Sequence, residues 1–275
     1  MKPGSKVNNR RHIEAISAKG DSAYMADLQP RHIEADLGPL TPAVAKSRLT
    51  AWRHLCPFWK SKGWIDTDVS APVKRKKMPK TAGHKEWTHD DLDAFRKHWP
   101  IGTPQRLACE LLQWTGARAS DAVLLGRQMV RRDGLLHFTQ EKTGNPAHVP
   151  WTAPAWGLER QREDLMKCLQ PDQAMFILTV YGKPRSRKSF SSWFSAACTT
   201  AKLPDLSAHG LRKYRMNTLA ESGVSLLGMQ GWVGHVTLEE VQLYTERANK
   251  RQAVQGAQSV NPASPTVNSE AKVMK

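Results

Sequence analysis

Four short segments, taken in chain order, carry side chains able to act on a phosphodiester. They are Thr115-Gly116-Ala117-Arg118-Ala119-Ser120-Asp121-Ala122, then Glu141-Lys142-Thr143-Gly144, then His209-Gly210-Leu211-Arg212, and last Gly234-His235 with Tyr244 nine residues further on. Metal-free exchange of a phosphodiester needs a nucleophile that keeps the product as a covalent intermediate. It also needs fixed positive charge on the non-bridging oxygens and a proton for the leaving 5′-oxygen. Arginine suits the oxygens, because its planar fork donates two bonds at once and never loses its charge. Two arginines could grip two oxygens. Histidine can donate or shuttle a proton near neutral pH. A lysine on a flexible turn can reach a leaving group as general acid. A tyrosine phenol, with a pKa of about 10, must be helped to ionise. Covalent trapping conserves the bond energy, so this chemistry asks for no ATP, no cofactor and no metal.

Local spacing agrees with that reading. His209 and Arg212 are three apart and share one face of a helix. Arg118 follows Gly116 at a loop-to-helix junction, where backbone N–H groups also favour phosphate. Each piece alone has a plainer meaning. Arg118 also reads as a structural arginine, Lys142 as an ordinary hairpin lysine, His209 as a helix-start histidine and Arg212 as a solvated charge. His235 also reads as a satisfied loop histidine, and Tyr244, one of four tyrosines, as an amphipathic core residue. What raises the chemical reading above these is the joint occurrence in this order.

The elements that must hold these residues are mostly helices. Residues 1–10 read as a flexible basic start, and a helix is expected from about 11 to 28. Arg-His-Ile-Glu-Ala occurs at 11–15 and again at 31–35, which two copies alone do not make a solenoid. Thr41-Pro42 is a helix start, with Thr as N-cap and Pro in the first position. The helix that follows puts Leu49, Trp52, Cys56 and Trp59 on one face, and Pro57 should kink it or end it early. Thr88-His89-Asp90-Asp91 opens another helix with acids in its first turn. Leu107, Leu111 and Trp114 recur at helical spacing, as do Phe190, Trp193, Phe194 and Ala197. Residues 135–139 and 148–150 read as two short strands, with Gln140 to Pro146 as the turn of a β-hairpin. Three further helices are expected at about 208–222, 225–232 and 237–250. The fold class is therefore mainly α with a small antiparallel β-sheet.

Charge narrows the partner. The chain of 275 residues carries 41 Lys+Arg against 25 Asp+Glu, a formal net charge of +16. A chain this basic most often meets nucleic acid. An acidic membrane surface would need an amphipathic basic helix or a lipid anchor, and neither is found. No run of about 18 apolar residues exists to span a bilayer. The first 15 residues lack the apolar centre of a signal peptide. Cys56, Cys109, Cys168 and Cys198 form no C-x-x-C pair, and buried thiols in a reduced, intracellular protein fit better than a disulfide or zinc framework. The run Val73 to Lys80 is basic and contains Pro79. It reads as an exposed linker over 73–86, with Lys74, Arg75, Lys76 and Lys77 as candidate phosphate contacts. Residues 255–275 show little periodicity and read as disordered when the protein is alone.

The motifs Thr-Gly-Ala-Arg-Ala-Ser-Asp-Ala, Lys-Thr-Gly, His-Gly-Leu-Arg, Val-Gly-His and the downstream tyrosine resemble those of the tyrosine recombinases, the integrase and Xer-like enzymes. The likeness covers roughly residues 86–250, with a weaker one in 28–72 to the family's helical core-binding domain. The resemblance implies a core-binding domain over 1–72, short for the family, the linker at 73–86, a catalytic domain over 87–250 and a flexible tail over 251–275. It implies that Arg118 and Arg212 hold the non-bridging oxygens and that Lys142 protonates the leaving oxygen. His209 would assist proton transfer at the phenol, His235 would hydrogen-bond the phosphate, and Tyr244 would attack it to give a 3′-phosphotyrosyl intermediate. It further implies double-stranded DNA with paired recombination sites as partner, a homo-tetramer on DNA from a free monomer, accessory directionality or bending proteins, and a nucleoid-associated, cytoplasmic place of work in integrating or excising a mobile element. Two departures stand out: Lys213 where many relatives carry a second histidine, and Ala117 and Ala119 in place of bulkier apolar residues. A type IB topoisomerase shares the chemistry, and a non-catalytic DNA-binding protein of a mobile element shares the charge. Generic RNA binding lacks the stacked-aromatic motifs of common RNA modules.

Overall fold

A computed structural model describes residues 3–20, 25–79, 83–171, 173–234, 241, 242, 244–246 and 248. The chain divides into two compact units, residues 1–82 and 83–275. Among the described residues no helix is long and apolar enough to cross a membrane.

The first unit holds α1 (Pro3–Ser17), α2 (Pro30–Leu37) and α3 (Pro42–Ser61). The basic start is thus helical, and the helix expected at 11–28 instead begins at Pro3 and stops at Ser17. His12 and Ile16, one turn apart, dock it on the rest of the unit and are buried. α2 was not expected. It starts at Pro30, and the His32 ring accepts a hydrogen bond from the Gln29 backbone N–H (3.2 Å). The two Arg-His-Ile-Glu-Ala copies sit differently. His12 is buried in the first while His32 is exposed in the second, where Ile33 is fully buried. They are not equivalent structural repeats.

Pro57 does not end α3, which runs on to Ser61. A proline removes one N–H and crowds the preceding turn. Pro57 is exposed, and the last turn is held by Trp59, which meets Trp52 edge-on at 6.1 Å. A polar centre lies beneath. Asp36 accepts from Arg48 Nη1 (3.2 Å to each oxygen), Trp52 Nε1 (2.9 Å) and Lys19 Nζ (2.9 Å). The stretch after α3 is tied rather than loose: Val73 is buried and its carbonyl accepts from Arg53 Nη2 (3.0 Å).

The second unit holds α4 (His89–His98), α5 (Pro104–Thr115), α6 (Ala119–Ala122), β1 (Leu135–Thr139), β2 (Pro146–Pro150), α7 (Glu159–Cys168), α8 (Arg187–Thr200), α9 (Ala208–Glu221) and α10 (Leu226–Val233). Residues 241, 242, 244–246 and 248 are helical. α4 begins where its acids predicted. Thr88 and Asp91 cap one another, with Asp91 N donating to Thr88 Oγ1 (3.1 Å) and Thr88 N to Asp91 Oδ2 (2.9 Å). α5 is the central helix, buried from Arg106 to Thr115 and packed against α7 and α9. Its one carboxylate, on Glu110, is fully buried and answered by Arg96 (2.8 Å) and Arg106 (2.6 Å). An aromatic group of Trp87, Phe95, Phe190 and Phe194 packs beside it.

β1 and β2 pair antiparallel from Leu135↔Pro150 to Thr139↔Pro146, the one sheet among the described residues. β2 therefore starts two residues earlier than expected, at a proline. The first residue of a strand tolerates the missing N–H. Leu136, Phe138, Ala147 and Val149 face the core, and β2 packs on α10. α7 was not expected: it shows little apolar patterning, and only Leu165 and Cys168 are buried. All four cysteines are free and buried.

Candidate active site

The α5–α6 turn is the place where the segments meet. α5 ends on Gly116, which takes the left-handed φ of 61°. A side chain there is barred twice, since its Cβ would come within 2.8 Å of Val233 Cγ1 and 3.2 Å of Arg215 Cγ. The turn then presents Arg118 as the residue ahead of α6, its carbonyl accepting from Asp121 N and Ala122 N (2.9 Å each). From α9, the buried Arg212 sends Nη1 to the Gly116 carbonyl at 2.6 Å. The turn that carries Arg118 therefore also holds the Arg212 guanidinium, two residues earlier.

A fully buried side chain that sequence reading passed over joins this turn to two others. Gln140 Oε1 accepts from Arg118 Nη1 and from Thr143 Oγ1 (3.0 Å), while Gln140 Nε2 donates to the Val233 carbonyl. Gln140 thus touches the arginine, the hairpin loop that carries Lys142, and the end of α10. α10 closes on Gly234 with a φ of 65°, and a Cβ there would stand 2.7 Å from Gln140 Nε2. Apart from its adjacency to Glu141-Lys142-Thr143-Gly144, nothing in the sequence marks Gln140.

His209 opens the first turn of α9. Partial desolvation, followed by the neighbouring His84 ring and the charges of Arg212, Lys213 and Arg118, lowers its pKa from 6.5 to about 4. The imidazole is neutral at pH 7. Arg118 and Arg212 thus both act electrostatically on the neutral His209 ring.

The remaining candidates stand as follows. Lys142 is exposed in the hairpin loop. Tyr244 is helical, half-buried and packed against the core of the unit. His235 lies outside the described residues. Lys74, Arg75 and Lys77 are exposed in the first unit, whereas Lys76 Nζ donates to the Gly38 and Leu40 carbonyls (2.7 and 2.9 Å). That bond pattern makes Lys76 a tie across its own unit.

Arg215 was also missed. It is fully buried, one turn beyond Arg212, and lies over the rings of Trp114 (4.9 Å) and Trp232 (5.7 Å). Its Nε donates to the Gln113 carbonyl (2.6 Å) and Nη2 to Gln161 Oε1 (2.8 Å). Burial lowers its pKa from the ordinary arginine value. It holds the end of α5 against α9 from below.

The sequence model of the Phage integrase family matches residues 88–251. The chain belongs to that family. It is 27% identical over 263 residues to tyrosine recombinase XerD of Mycobacterium leprae (strain TN), covering 88% of this chain and 82% of that one. It is 26% identical over 246 residues to tyrosine recombinase XerC of Erythrobacter litoralis (strain HTCC2594), covering 86% and 79%. Among solved structures, a lambda integrase dimer bound to a COC′ core site superposes with a TM-score of 0.75 at 22% identity, covering 89% of this chain and 72% of that one. A lambda integrase tetramer bound to a Holliday junction gives 0.72, with the same identity and coverage. The mainly helical fold with one small antiparallel sheet is the fold these structures share.

Proposed function

We propose that this chain is a site-specific DNA recombinase that cleaves and rejoins strands through a tyrosine. Family membership supports the reaction class. The observation that carries the reading at residue level is that the turn bearing Arg118 also holds the Arg212 guanidinium, with both arginines acting on a neutral His209. In the reaction, the Tyr244 phenol oxygen attacks phosphorus and the bond to the 5′-oxygen breaks. The phenolic proton passes to His209, and Lys142 gives a proton to the departing 5′-oxygen. Arg118 and Arg212 hold the non-bridging oxygens, and His235 adds a hydrogen bond to the phosphate. A free 5′-hydroxyl from a partner strand then reverses these steps and releases the tyrosine. No bond energy is lost, since one phosphodiester is exchanged for another.

The substrate is double-stranded DNA with paired sites, acted on by four copies assembled on it, with bending or directionality proteins as helpers. The setting is a mobile element in the cytoplasm, at the nucleoid. Lys74, Arg75 and Lys77 contact the backbone. The test uses a library of nicked duplexes, in which the short fragment carrying the new 5′-hydroxyl diffuses away, so that religation is prevented and the adduct is trapped. The expected result is a covalent protein–DNA species that disappears in Tyr244→Phe. An adduct that persists in that variant removes Tyr244 as nucleophile. Relaxation of a plasmid with no selected site would move the reading to a type IB topoisomerase.

A further inference from the structure

Residues 83–87, just ahead of α4, lie across the start of α9. They are held at several points. Trp87 Nε1 donates to the Ser207 carbonyl at 2.9 Å, and Asn217 Nδ2 donates to Glu86. The Lys85 carbonyl sits so close to Gly210 that a Cβ there would be 2.2 Å from it. Lys213 Nζ donates to the His84 carbonyl at 2.6 Å. With its backbone held in this way, the His84 ring comes to lie 4.7 Å from the His209 ring, the planes at 52°. Its Nδ1 is 3.1 Å from Ser207 Oγ.

We infer that His84 is a positioning residue for His209, an imidazole delivered to the candidate site by the segment before α4 and held there by Lys213 and Ser207. Lys213 thereby acquires a role: its ammonium holds the backbone that brings a second histidine in. A purely structural role for the His84 ring explains the geometry poorly. Trp87, buried beneath, already anchors the segment, and His84 and His209 are both exposed. An exposed pair adds little to stability, yet two basic rings side by side oppose each other's protonation. The groups acting on His209 are His84 from this segment, Arg212 and Lys213 from α9 and Arg118 from the α5–α6 turn. All of these are cationic or can become so, and all favour the neutral ring that accepts a proton.

The inference rests on the proposed role of His209 for its consequence in catalysis, but its physical content can be measured without DNA. The experiment compares the full chain with His84→Ala and His84→Phe, using histidine ring NMR with His209 assigned through His209→Gln. In His84→Ala, His209 should titrate at higher pH than in the unaltered chain. His84→Phe, which keeps a ring but loses the ionisable group and the Ser207 bond, should also raise it, by less. In adduct formation, the acidic limb of the pH profile should move up with the NMR value. Each unit of rise lowers the neutral fraction below the pKa about tenfold. A His209 titration in both folded variants that coincides with the unaltered chain overturns the inference. Failure of the unaltered chain to form any adduct would strike the proposed function and leave the NMR result standing.

Discussion

At the scale of single residues, Gln140 shows how an uncharged side chain can govern a charged site. Its oxygen and nitrogen are both committed, one to Arg118 and Thr143 and the other to the Val233 carbonyl. Gln140→Ala leaves the guanidinium without this restraint and strands a buried carbonyl. An unmade buried hydrogen bond costs about 1–3 kcal/mol, so urea unfolding should report a loss in that range. A misplacement of about 1 Å in a reacting constellation can cost on the order of 10²-fold in rate, so single-turnover adduct formation should slow by about that factor. An adduct rate equal to that of the unaltered chain would show that Gln140 supports the fold alone. Replacement by Glu separates the two bonds. It keeps an acceptor for Arg118 but loses the donor to Val233, and it places a carboxylate where the phosphate must be attracted.

At the scale of elements, the site depends on α9 meeting two neighbours at close range, α5 along its side and residues 83–87 across its start. Gly210 permits the second approach. In Gly210→Ala the new methyl meets the Lys85 carbonyl, which is backbone and cannot swing away. Overpacking of this kind costs about 1–3 kcal/mol. A unit of this size should lose about 2–4 °C in Tm for each kcal/mol, and a melting curve within a degree of the unaltered chain would refute the close packing. The sequence made some of this readable and hid the rest for physical reasons. α4 announced itself through Thr88 and Asp91, because a cap is a local bond between residues three apart. β1 was legible because Leu136 and Phe138 alternate with outward residues. α7 was not, because Arg160, Glu163 and Lys167 crowd its solvent face and only two of its residues are buried. Of the two outcomes expected at Pro57, a kink or an early end, α3 excludes the early end, because the cost of Pro57 is local while the contact of Trp59 with Trp52 is tertiary. In the site, charged residues in short motifs could be found from their types. Gln140, Arg215 and His84 could not, since what distinguishes them is a partner 93, 102 or 123 residues away.

At the scale of the whole molecule, a polyanion would meet a chain of formal charge +16, and burial among the described residues changes that balance little. Asp36, Glu110 and Asp121 are buried: Asp36 faces Arg48 and Trp52, Glu110 faces Arg96 and Arg106, and Asp121 Oδ1 accepts from the Glu141 backbone N–H (3.1 Å). The buried guanidinium groups of Arg48, Arg106, Arg212 and Arg215 offset these carboxylates, while Lys74, Arg75, Lys77 and Lys142 remain exposed on the surface. A surface of this kind binds DNA by displacing condensed counterions, and the logarithm of affinity then falls linearly with the logarithm of salt, with a slope of about 0.9 per phosphate neutralised. If about six to ten phosphates are contacted, binding should weaken by about 10³- to 10⁵-fold between about 50 and 200 mM salt. Fluorescence anisotropy on a labelled duplex measures this directly. Lys74→Ala and Arg75→Ala should each lower the slope by about one contact, whereas Lys76→Ala, whose ammonium is held by the Gly38 and Leu40 carbonyls, should leave the slope unchanged and reduce the stability of the first unit instead. A salt response that is flat, or equal slope losses at all three positions, would mean that this segment meets DNA in some other way than through its exposed cations.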